Sequence, residues 1–152
     1  MTPIQRAQQE WEDVTTPHPK QHFYENGKKQ IGKDQFRTFG QAIALLNWCE
    51  FIEITKLEKL PDGGRGATIP LVEFLKALAD NYHVRIFGHV KPYTPDPPWP
   101  DDEYIPTQEE LEVWYKKRGL HLRTRGKLCA VELWYPAVPH FETSDGVEPI
   151  CP

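Results

Sequence analysis

The stretch LPDGGRGATIPLVEFLKAL, Leu60 to Leu78, limits what this chain can fold into more than any other part of it. Three glycines and an arginine fill the positions Gly63-Gly64-Arg65-Gly66, and Leu71, Leu75, Leu78 and Ala79 then recur at helical spacing with Phe74 beside them. That spacing predicts a helix from Ile69 to about Asn81, with Pro70 tolerated because the first helical turn has no intrahelical use for an N–H there. Strand-like runs flank this unit. CEFIEITKLEKL sets Phe51, Ile54 and Leu57 among charged residues and ends at Pro61, while Val84, Ile86, Gly88 and Val90 alternate with Arg85, Phe87 and His89. Strand, glycine turn, helix and strand in succession form a βαβ unit, whose two strands are parallel and joined by a right-handed crossover.

The remaining elements are read from local signals. Residues 1 to 21 form an N-terminal helix or arm that runs into TTPHPKQ. Asn26-Gly27 suits a type I′ hairpin turn. FRTFGQAIALLNW fits a helix over Gln41 to Trp48 about as well as a buried strand, and helix is the expectation carried forward. Six prolines between Pro92 and Pro106 require an extended surface loop, in which Trp99 and Tyr104 either line a groove or pin the loop to the body. Thr107-Gln-Glu-Glu110 is a capping box that opens a helix with Leu111, Trp114 and Tyr115 on its apolar stripe and Gly119 as its stop. KLCAVELWYP is a closing strand, and residues 137 to 152 are a loose tail.

Composition narrows the functional classes. A chain of 152 residues is the size of one domain, and it holds no apolar run long enough to span a membrane. Nothing at Met1 to Glu12 has the apolar core of a secretory signal, so a cytoplasmic location is the expectation. Cys49, Cys129 and Cys151 are widely spaced and odd in number, which argues against a disulfide framework and a zinc cluster, and the six His show no ligand spacing. The net charge of −4 gives no general attraction to nucleic acid. Lys116-Lys117-Arg118 with Arg123, Arg125 and Lys127 read as a helix end followed by a solvated turn. No metal is expected, and a homodimer is left open.

A glycine-rich turn that opens a helix aims several backbone N–H groups at one point, where the helix dipole also favours negative charge. Arg65 adds a cation there. The segment is neither a Walker A loop nor a G-x-G-x-x-G fingerprint, so on spacing alone it is either a pyrophosphate site or a tight turn.

The order of elements, the Arg65-Gly66 turn and the later segment Trp114-Tyr115-Lys116-Lys117-Arg118-Gly119-Leu120 together resemble the GCN5-related N-acetyltransferase family over about Glu50 to Tyr135. Gly63, Thr68 and Pro70 depart from that family's pattern. The resemblance implies a mixed α/β fold, a central twisted β-sheet with helices on both faces, in a single domain spanning residues 1 to 152. It further implies acetyl-CoA as co-substrate, with its pyrophosphate on the amides of Gly63, Gly64, Arg65, Gly66, Ala67 and Thr68 and its acyl carbonyl on the strand near Leu57 or Glu58. Glu53 is then the base that deprotonates an amine acceptor, with Glu50 and His89 as rivals, and Tyr115 is the acid facing the departing thiolate. The alternative is a fold of this kind that has lost catalysis and serves as a protein-interaction module.

Overall fold

The computed structural model describes residues 1–20, 35–91, 106–125 and 130–137. The expected hairpin at Asn26-Gly27, the proline loop up to Ile105, and all but the start of the tail lie outside the described residues.

Helix α1 (Pro3–Val14) opens on a capping box in which Thr2 and Gln5 exchange side-chain and backbone bonds. It is followed by β1 (Thr16–Pro17), β2 (Arg37–Phe39), β3 (Ala42–Trp48) and β4 (Ile52–Lys59). Next come α2 (Ile69–Tyr82), β5 (Ile86–His89), α3 (Gln108–Lys117), β6 (His121–Arg125) and β7 (Ala130–Tyr135). The seven strands among the described residues form one sheet in the order β1-β2-β3-β4-β5-β7-β6, antiparallel except for the β4–β5 pair. The architecture is mixed α/β, and the βαβ unit stands where the sequence places it.

Two expectations are corrected. Residues 42–48 are a strand: Ala42 to Leu46 are all buried, and both faces of β3 are covered, so the period-two signal that marks a half-exposed strand is lost. Ala42, Ala44 and Leu46 join the main core, while Ile43 and Leu45 pack with Phe36 on the opposite face. The stretch after α3 is likewise a strand, β6, at the edge of the sheet, where Arg123 pairs with Glu132 at 3.2 Å.

The main core lies between the sheet and the helices. Ala7 and Trp11 of α1, Leu71, Val72, Leu75 and Leu78 of α2, and the half-buried Leu111, Trp114 and Tyr115 of α3 all belong to it. Trp11, Phe39 and Phe74 form an aromatic cluster that docks α1. Lys76 ties α2 to the end of α3 by donating to the Arg118 carbonyl at 2.7 Å. The described helices α1, α2 and α3 all contribute side chains to this core. No helix among the described residues is long and apolar enough to cross a membrane.

Candidate functional site: the parting of the parallel strands

Strands β4 and β5 pair over only three positions, Ile52↔Ile86, Glu53↔Phe87 and Ile54↔Gly88. Beyond that point β5 stays with β7, since His89 faces Glu132 and the Val90 N–H donates to the Val131 carbonyl at 2.8 Å. Strand β4 continues to Lys59 paired, among the described residues, with β3 alone. Among the described residues, the two parallel strands thus part after Ile54 and Gly88, leaving a cleft whose wall is the unpaired edge of β4.

A bulge marks the same place. Leu45 faces Lys56 and Leu46 faces Ile54, so Thr55 is the extra residue on β4. Beyond it, the Leu60 N–H donates to Gln41 across the β3 side at 2.8 Å. Alternation along an antiparallel ladder then turns the N–H groups of Leu57 and Lys59 toward the cleft and that of Glu58 toward β3. Of the two residues named for the acyl carbonyl, Leu57 presents its N–H to the open edge. The Glu58 carboxylate instead faces Lys20, and its Oε1 is buried without a partner among the described residues.

The glycine loop follows β4 directly. Gly63 is buried, and its N–H is taken up by the Leu60 carbonyl at 2.7 Å. The Ala67 N–H is likewise taken up by Gly64 at 3.2 Å. Those of Gly64, Arg65, Gly66 and Thr68 have no acceptor among the described residues, nor has the Arg65 guanidinium a partner. Four of the six amides thus have no acceptor among the described residues. Gly66 has φ +81°, a left-handed conformation that glycine adopts without strain. A depression of about 310 Å³ lies beside the loop, lined by Phe39, Gly40 and Gln41 on one side and by Gly64 to Ala67 and Pro70 on the other.

Glu53 and Tyr115 are not brought together. Ile52 and Ile54 point into the helix-covered core, so Glu53 between them lies on the opposite face, half-buried, where Asn47 Nδ2 donates to its Oε1 at 3.0 Å. Phe87, across the ladder from Glu53, packs against Trp134 at 4.6 Å and His89 at 5.1 Å. Tyr115 belongs to the helix-side core, and burial pushes its phenol up to about 12. Of the rivals, exposed His89 stands where β5 leaves β4, whereas Glu50 lies in the turn before β4, at the far end from the cleft. Sequence reasoning did not single out Thr55. Among the described residues no group of three or more His, Cys, Asp or Glu could hold a metal ion.

No protein-family model matches the chain, and no curated protein matches it. Among solved structures, the crystal structure of the anti-CRISPR protein AcrVA5 is similar over 64% of this chain and 87% of that one, at 13% sequence identity and a TM-score of 0.40.

Proposed function

We propose that this chain is an acyl-CoA-dependent N-acetyltransferase that moves acetyl from acetyl-CoA to an amine by direct attack. One observation carries the reading. Among the described residues, two parallel strands part after three pairs, and the free edge so created runs directly into a glycine loop with four unused amides and an unpaired arginine.

The residues fit a pyrophosphate-bearing thioester. The amides of Gly64, Arg65, Gly66 and Thr68, at the start of α2, supply donors and a favourable dipole for the pyrophosphate, and Arg65 supplies the cation. Leu57 N–H donates to the acyl carbonyl, an interaction that strengthens as negative charge develops on the oxygen. Glu53 takes a proton from the acceptor amine on the face opposite the described helices. Tyr115, whose phenol ionises only near 12, remains a hydrogen-bond donor to the thiolate, which is a weaker role than full proton transfer. A second reading, a fold of this kind without catalysis, is favoured by the internal bonding of Gly63 and Ala67.

Thermal denaturation with and without acetyl-CoA tests the proposal. A ligand at a hundredfold excess over its dissociation constant adds about 2.7 kcal/mol of stability, so a raised melting temperature is expected. An unchanged melting temperature at millimolar acetyl-CoA would overturn the acetyltransferase reading.

A further inference from the structure

We propose that a second cavity, at the end of the sheet opposite the cleft, binds a small α-amino-acid zwitterion with an aliphatic side chain. The cavity is an open depression of about 320 Å³ where β4 and β5 begin, between the start of α1, the end of α2 and the β3–β4 turn. That volume is at the small end of the roughly 300–1,000 Å³ typical of ligand sites, which suits one amino acid and not a peptide.

Charge defines the occupant. Arg85 lines the cavity with its Nε buried, and its side chain has no partner among the described residues. Buried donors are almost always satisfied, so the unpaired Nε of this half-buried cation at a cavity wall calls for an acceptor, and an anion answers both the donor and the charge. Glu50, exposed in the adjoining turn, lines the same cavity and likewise has no ion pair among the described residues.

The helix ends reinforce this polarity. The capping box of α1 uses the N–H groups of Thr2 and Gln5 and leaves that of Ile4, a lining residue, as a donor at the positive end of the helix dipole. His83, the C-cap of α2, brings the negative end of that helix to the opposite wall. A carboxylate therefore matches Arg85 and Ile4, an ammonium matches Glu50 and the end of α2, and Phe51 with Val84 receives an apolar body. Nothing in this site depends on acyl transfer.

Isothermal titration of the full chain with L-leucine tests the site, alongside isoamylamine, which lacks the carboxylate, and 4-methylpentanoate, which lacks the ammonium. Saturable binding of leucine is expected, with each analogue weaker by roughly tenfold or more. Glu50→Gln, a change at an exposed turn, should weaken leucine by a similar factor without weakening 4-methylpentanoate, and Arg85→Gln should remove the preference for leucine over isoamylamine. Absence of saturable leucine binding, equal affinity for leucine and isoamylamine, or leucine affinity unchanged in both variants would each overturn the proposal.

Discussion

Ile54 and Gly88 form the last pair of the parallel ladder, and a methyl group on Gly88 would come within 3.3 Å of the Ile54 carbonyl oxygen and 3.4 Å of the Leu133 side chain. The apex of the cleft is thus held by backbone contact. Gly88→Val is expected to lower stability by about 1–3 kcal/mol through overpacking. Urea denaturation measures it, and an unchanged midpoint would contradict so close an approach.

The glycine loop separates two neighbours by mechanism. A methyl at Gly63 would lie 2.8 Å from the Gln41 carbonyl oxygen and 3.0 Å from that of Leu60, neither of which can rotate aside, whereas at Gly64 nothing lies within 4 Å. Gly63→Ala should cost on the order of 1–3 kcal/mol, and Gly64→Ala should stay within about 0.5 kcal/mol of the parent. Equal melting temperatures for the two variants would refute the packing of this loop.

Tyr115 supplies a pH test. Burial favours the neutral phenol, so the folded-state value near 12 lies above the ordinary value of 10.0. The resulting stability is fully present below about pH 10 and is lost as pH rises toward 12. In a spectroscopic titration of the tyrosines, Tyr115→Phe should remove a step near pH 12. If that step persists in the variant, the phenol is not buried as described.

Glu53 separates chemistry from binding. Glu53→Gln keeps a partner for Asn47 but removes the base, so turnover of a primary amine should fall by about 10²-fold or more while the melting shift with acetyl-CoA stays unchanged. Steady-state kinetics beside the melting assay distinguishes this from a structural effect, because loss of the shift as well would make Glu53 a scaffold residue.

Local signals were legible and long-range ones were not. The capping box at Thr107 and the apolar period from Leu71 to Ala79 place α3 and α2 correctly, since caps and helical spacing act within a few residues. Strand β3 was hidden because Ile43 and Leu45 meet a second cluster around Phe36, so no polar residue interrupts the run. Strand β6 was hidden because Leu122 is the lone large apolar residue among His121, Arg123, Thr124 and Arg125. At the site, the glycine loop could be located, but which amides stay free depends on turn bonds from Gly63 to Leu60 and from Ala67 to Gly64. No residue type encodes those bonds.

Thr55 acts on β4 as a phase shift in space. If Thr55 were paired in a regular ladder instead of bulged, strict alternation would turn Leu57 out of the core and drive the Glu58 carboxylate into it, while every side chain on the chain before Ile54 kept its place. Deleting Thr55 would remove one exposed, uncharged side chain and leave Leu46 opposite Ile54 and Leu45 opposite Lys56, so the second half of the strand keeps its face and only the bulge is lost.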